Sequence, residues 1–318
     1  MPLRRFFTPV RRLCLLCVSL ALCGSISASQ FVPNDVEVDS LTYRGWGGAY
    51  RLRNSVAEVI LVPAAGGRVL SYRLNDSTNV LWENEAESGR LYDWSRDQGT
   101  WRNYGGYKLW VAPQDRAEAA GWHASQDNYR CQVRLTEESE VRLIAPPLEA
   151  TGTQFTVALK LFPRSSRVRF RQKIRNVSQQ PVRWSVWDVT QLRPGGTLTF
   201  PRNPNSRFPD GVRYWREECR ELPQWEIGST SINVQAGETA AKIGADSDGG
   251  WLSYRNGEQV YVKSFRYDPT ADYPDGGCSV EVYTCPQYLE AELLSPLYDL
   301  QPGEERVFTE EWVLQRIR

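Results

Sequence analysis

The chain has 318 residues, with 38 basic side chains against 38 acidic ones, a single histidine and seven cysteines. Without a basic excess it has no electrostatic footprint for nucleic acid, and one histidine cannot build a zinc site or catalytic centre that needs several. Beyond residue 28 neither a CxxC pair nor a Cys/His cluster of metal-ligand spacing occurs, so no metal and no cofactor are expected.

The N-terminus reads as an export signal. Arg4, Arg5, Arg11 and Arg12 precede an apolar run from Leu13 to Leu22, and small residues follow from Gly24 to Ser29. The run is shorter than the roughly 20 residues of a spanning helix. Cleavage near Ala28 is expected, with lipidation at Cys23 or a retained anchor as the alternatives. Removal of residues 1–28 leaves 34 basic against 38 acidic residues, a net of −4. Residues 29–318 are expected to form one domain, periplasmic or secreted, with no later membrane span. Oligomeric state is open.

Period-two alternation dominates the chain beyond the leader. Strands are expected at Val56–Val62, Arg68–Leu74, Cys131–Leu135 and Glu140–Ile144. Next comes a hairpin, in which Phe155, Val157, Leu159 and Leu161 alternate on one arm and Val168, Phe170, Gln172 and Ile174 on the other. Further strands are expected at Val182–Gln191, Thr197–Phe200, Trp251–Tyr254, Val260–Tyr267, Ser279–Thr284, Tyr288–Leu294 and Glu305–Leu314. Helical pattern is confined to one turn at Leu91–Trp94 and a short helix at Asp115–Trp122. Many short strands with turn residues between them predict an all-β fold, a large antiparallel sandwich. Two polar, aromatic-rich stretches, Asn84–Asn128 and Pro201–Trp225, read as loops, where sites tend to lie.

Four cysteines follow the leader: Cys131, Cys219, Cys278 and Cys285. If Ser279–Thr284 is a strand, it holds Cys278 and Cys285 roughly 20 Å apart, beyond disulfide reach. Their pairing is otherwise open.

Candidate binding residues come from chemistry rather than motif. Twelve tryptophans lie beyond the leader, and indoles stack on sugar rings; Trp101 and Trp110, in a polar stretch, are stronger candidates than those on alternating strands. His123 reads as incidental. Lysine is scarce, five against 33 arginines, so Lys108 after a double glycine and Lys263 hint at a need for a compact ammonium, although a solvated amine explains either equally well. Glu290 and Glu292 alternate with Leu289, Ala291 and Leu293, so both point to one face of their strand. Arg68 follows Gly66-Gly67, where it binds a ligand oxygen or braces a loop.

Three segments, Val59–Tyr72 with its Gly-Gly-Arg turn, Tyr104–Gln114, and Leu289–Pro296 with the closing strand at Trp312, resemble the galactose-mutarotase-like superfamily of aldose 1-epimerases and related carbohydrate proteins. They look most like an uncharacterised exported branch of it, a domain of unknown function. The resemblance implies a β-supersandwich and a saccharide ligand. In those enzymes a Glu near the C-terminus takes the anomeric hydroxyl proton, and histidines protonate the ring oxygen and hold the sugar. Glu292 sits at the position similar to that Glu. The histidines are unmatched: Asn103–Lys108 lies about where the first would be and Trp187 about where the second would be. Lys108 or Tyr104 would have to supply the acid, and an ordinary lysine, at about 10.4, is a poor one near neutrality. The implied site is Glu292 and Lys108 for chemistry, with Arg68, Asn103, Tyr104, Trp110, Trp187, Gln191 and Lys263 for binding. Three functions remain in play: a carbohydrate-binding protein without standard mutarotase chemistry, a saccharide-active enzyme using Glu292 as base, and a protein-interaction module.

Overall fold

The computed structural model describes residues 36–92, 101–136 and 139–317. The leader expected at 1–28 lies outside the described residues, as do Asp93 and Trp94 of the helical turn expected at Leu91–Trp94. Leu91 and Tyr92 are not helical.

Two large antiparallel sheets carry the fold. The first runs Glu37–Tyr43, Trp46–Arg53, Ala57–Val62, Arg68–Leu74, Tyr107–Ala112, Val182–Leu192, Leu289–Leu294, Val280–Thr284, Ala241–Ala245 and Arg213–Tyr214, with Tyr298–Leu300 pairing the start of Val182–Leu192. The second runs Trp225–Ile227, Ser231–Gln235, Thr197–Pro201, Trp251–Asn256, Gln259–Phe265, Glu305–Arg316, Val168–Asn176, Thr153–Leu161, Glu140–Ile144 and Gln132–Leu135. One hydrophobic core lies between them, with Tyr72, Tyr107, Phe170, Tyr261 and Trp312 at its centre. A smaller cluster, including Trp46, Ile60, Leu70 and Tyr104, covers part of the first sheet's outer face.

Alternation located the second sheet well. In Val168–Asn176 the alternating apolar residues are buried while Arg171 and Arg175 are exposed, and its hairpin with Thr153–Leu161 is antiparallel as expected. The helix spans Gln114–Ala119, shorter than expected, with Ala117 buried.

The stretch Asn84–Asn128 is not all loop. Tyr107–Ala112 is a strand of the first sheet, pairing Val182–Leu192, and all six of its residues are buried. A strand covered on both faces loses the polar–apolar alternation that reveals strands in sequence. The stretch Pro201–Trp225 likewise contributes the edge strand Arg213–Tyr214.

The turn at Gly66-Gly67 requires glycine. Both residues have left-handed backbones, φ 71° and 69°, and a Cβ on Gly66 would lie 2.2 Å from the Asp127 carbonyl oxygen. The turn thereby seats the segment around Asp127 against the sheet.

All four described cysteines are free and buried. Val280–Thr284 is a strand, so Cys278 and Cys285 stand at its two ends as expected. Among the described residues no helix is long and apolar enough to cross a membrane.

Candidate functional site

Residues paired directly across antiparallel strands share a face. Lys108 pairs Val189, which pairs Glu292, which pairs Glu281. One step along, Trp110 pairs Trp187; on the other side, Gln191 pairs Glu290, which pairs Tyr283, which pairs Lys242. These side chains therefore lie on one face of the first sheet, away from the inter-sheet core that receives Tyr107, Asp188, Thr190 and Leu293. Strands are spaced about 4.8 Å apart, so the backbones at Lys108 and Glu292, with Val189 between them, stand roughly 10 Å apart.

Glu292 has no exposed surface. The Trp187 indole Nε1 donates to its Oε2, and Lys242 Nζ reaches the same oxygen at 2.9 Å. Lys242 also lies 2.6 Å from Glu281 Oε2, so one ammonium serves two carboxylates. Burial raises the Glu292 carboxyl against the pull of Lys242. The same opposition at Glu281, again led by burial, leaves it at about 8. Burial works against the charge on Lys242, yet Glu281 and Glu292 together outweigh it and raise the amine. Its ammonium lies 4.4 Å from the Trp187 ring centre and 5.0 Å from that of Trp215. Gly244, opposite Glu281, admits that second indole: a Cβ there would come within 3.0 Å of the Trp215 ring.

Lys108 sits in an aromatic pocket. Its Nζ is 3.7 Å from the Trp110 ring centre and 4.5 Å from that of Trp101. Trp110 meets Trp122 and Trp187 edge-on, each at 5.1 Å. Burial is the main cause that lowers Lys108 from 10.5 to about 8, offset in part by Glu290 and Glu292. The ammonium is thus neither solvated nor locked in an ion pair.

Arg68 is fully buried and braces a loop. Its Nη2 lies 2.7 Å from Asp127 Oδ2, which also accepts from Trp110 Nε1 at 3.1 Å. Gln191 Nε2 donates to Glu290 Oε1 at 2.7 Å. Lys108 Nζ, Arg68 Nε and Nη1, Asp127 Oδ1, Gln191 Oε1, Glu281 Oε1 and Glu292 Oε1 are buried with no hydrogen-bond partner among the described residues. Such atoms are uncommon in folded proteins, and these gather on one sheet face.

Of the residues expected at the site, Glu292, Lys108, Arg68, Trp110, Trp187 and Gln191 come together here. Tyr104 lies beside Arg68, whose guanidinium carbon is 5.5 Å from its ring centre. Its side chain packs against Trp46 and Tyr92, and burial raises its hydroxyl, which removes it as an acid near neutrality. Asn103 shapes the turn before the strand: its carbonyl accepts from Asn84 Nδ2 and its own Oδ1 accepts from Gly105 N. Lys263 is elsewhere. It projects from the second sheet into the inter-sheet core, bound to Asp188 and Thr190 of the first sheet, to the Ala291 carbonyl and, at 3.5 Å, to Glu310. Gln172 joins Asp188 and Glu310 from the other side. Scarcity of lysine correctly marked an unsolvated amine, but Lys263 serves the core. His123 begins a short 3-10 turn, its ring accepting from Ser125 N.

Sequence reasoning missed Lys242 and Glu281. The lysine scarcity that singled out Lys108 applied equally to Lys242, and Glu281 stands between Val280 and Val282 in an alternating run.

The family defined as a domain of unknown function, DUF4380, matches residues 49–315. The chain belongs to this family. No curated protein matches the sequence. Among solved structures it is similar to a putative aldose 1-epimerase from Klebsiella pneumoniae, at 12% identity and TM-score 0.61, covering 88% of this chain and 83% of that one. A galactose mutarotase-like protein from Lactobacillus casei is similar at 11% identity and TM-score 0.57, over 84% of this chain and 100% of that one. A TPR-domain containing protein from Parabacteroides distasonis is similar at 14% identity and TM-score 0.58, over 85% of this chain; the chain spans 47% of that protein's length. The fold is galactose mutarotase-like, as the three segments implied.

Proposed function

We propose that this domain binds a saccharide on the outer face of the first sheet and that it is exported to do so. One observation carries the reading: two lysines, three glutamates and a bank of indoles share that face, and several of their buried polar atoms are unspent. Sugars are recognised by such a mixture, apolar ring faces lying on indoles and hydroxyls bridging charged groups. Lys242, Glu290, Tyr283 and Trp215 keep exposed surface and make the first contacts. Export rests on the arginines and apolar run of the leader; the N-terminal mass of protein recovered from its host tests it. An interaction module finds less support, since the large exposed apolar residues among those described, Leu91, Leu135, Trp251 and Val307, sit on separate elements.

The lowered Lys108 favours a second reading, catalysis of anomer exchange. Glu292 takes the proton of the anomeric hydroxyl while the Lys108 ammonium gives one to the ring oxygen. The bond between the anomeric carbon and that oxygen breaks, leaving the open-chain aldehyde. Reclosure on the other face returns both protons. A lysine at about 8 answers the objection that an ordinary lysine is too weak an acid.

Exchange NMR with a panel of free aldoses separates the readings. Contact without faster anomer exchange supports binding alone. Faster exchange that disappears in Glu292→Gln supports the catalytic reading, and no contact with any aldose or its oligomers refutes both.

A further inference from the structure

The site face continues past Glu290 into a groove that the resemblance did not suggest. Leu81 bridges Leu192, and Trp82 N donates to the Gln191 carbonyl, so the Trp82 side chain falls on the face of Gln191 and Glu290. Trp82, Tyr288 and Tyr283 form a row there, with ring centres 4.6 Å and then 6.0 Å apart. Trp82 and Tyr283 keep exposed surface, while Tyr288 is 9% exposed between them. Beyond Trp82 opens a groove of about 650 Å³, walled by Arg44, Asn79, Glu83, Asn84 and Arg193.

The walls are planar, polar groups held in place by one another. Tyr43 donates to Glu83, Asn79 Nδ2 reaches Glu83 Oε1 at 2.9 Å, and Arg44 lies 3.2 Å from Glu83 Oε2. Arg44 and Arg193 face Glu83 and Glu85, so the groove has no strong net charge. A partly exposed indole beside amide, guanidinium and carboxylate groups suits an uncharged, hydroxyl-rich ligand. Glu290 and Glu292 are two residues apart, or about 6.6 Å along the strand, so the aromatic row begins about one hexose ring from Glu292.

We infer that this protein's ligand is an oligosaccharide, with one terminal unit at Lys108 and Glu292 and the next units carried over Trp82 into the groove walled by Arg44, Glu83 and Arg193. The inference rests on the saccharide reading of the site and adds the length of the ligand to it. A free hexose fills only the first position. The chain's own preference for length then comes from stacking on Trp82.

Saturation-transfer NMR and calorimetry on the full mature chain test this with glucose, galactose and mannose, each beside its β-1,4-linked tetrasaccharide. The expected result is at least one tetrasaccharide bound about tenfold tighter than its hexose, with Trp82→Ala removing that gain and leaving hexose affinity unchanged. Arg193→Ala, at an exposed position, should reduce the same gain without disturbing the fold. Hexose binding with no gain from length, or a gain untouched by both variants, overturns this inference alone. Absence of binding by every hexose and tetrasaccharide overturns it together with the reading beneath it.

Discussion

Glu281 and Glu292 face one another on neighbouring strands, and Lys242 Nζ lies 2.6 Å from the first and 2.9 Å from the second. Glu292 and Glu281 are almost wholly inside the protein, where two bare carboxylates repel strongly. One ammonium between them makes the arrangement tolerable, and Trp187 supplies a further donor to Glu292. Burial outweighs both donors, so the pair holds protons more tightly than exposed carboxylates do.

Removing that ammonium should destabilise the fold. Lys242→Met is expected to cost about 3–5 kcal/mol at pH 8, the usual consequence of stripping one partner from a buried ionic group. The loss should shrink toward pH 5, where the abandoned carboxylates protonate instead. Chemical denaturation at the two pH values measures it; equal losses would contradict the assigned role.

Glu281 should print its own signature on stability. Its folded value of about 8 lies above the 4.5 of an ordinary glutamate, so the folded state binds the extra proton between those limits. Its contribution is fully present below about 4.5 and is lost as pH rises through about 8. Glu281→Gln should flatten that decline, by at most about 1.4 kcal/mol per pH unit. Parallel melts of both proteins from pH 5 to 9 would reveal it.

Lys108 runs in the other direction. Its folded value of about 8 lies below that of an unfolded lysine, so stability should rise with pH between about 8 and 10.5. Lys108→Met should lose this rise, and it should gain about 1 kcal/mol or more at pH 7 by removing an ammonium without a hydrogen-bond partner. The same variant should lose saccharide contact. A more stable protein that binds less is the combination expected of a functional residue rather than a structural one.

Lys263 should behave oppositely. Lys263→Met leaves Asp188 and Glu310 in the core with only the uncharged Gln172 and Thr190 as donors, and a loss of about 3 kcal/mol or more is expected. Ligand affinity of the fraction that folds should be unchanged. A binding defect in well-folded Lys263→Met would return this lysine to the site.

Strands whose two faces meet different surroundings were legible in the amino-acid order alone. Val168–Asn176 and Thr153–Leu161 alternate because one face meets the core and the other meets solvent, and that difference is written residue by residue. Legible in the same way were the shared face of Glu290 and Glu292, the turn at Gly66-Gly67, and the unusual character of Lys108 and Lys263 as amines. Which surroundings those residues meet is a property of the folded chain. Tyr107–Ala112 is covered on both sides, so its alternation vanishes and it reads as loop. Lys108 and Lys263 are alike in sequence, yet one lies on the outer face among indoles and the other between the sheets, because facing depends on the pairing of strands far apart in the chain. Lys242 and Glu292, fifty positions apart, meet for the same reason: Leu289–Leu294, Val280–Thr284 and Ala241–Ala245 lie side by side only once the sheet has formed.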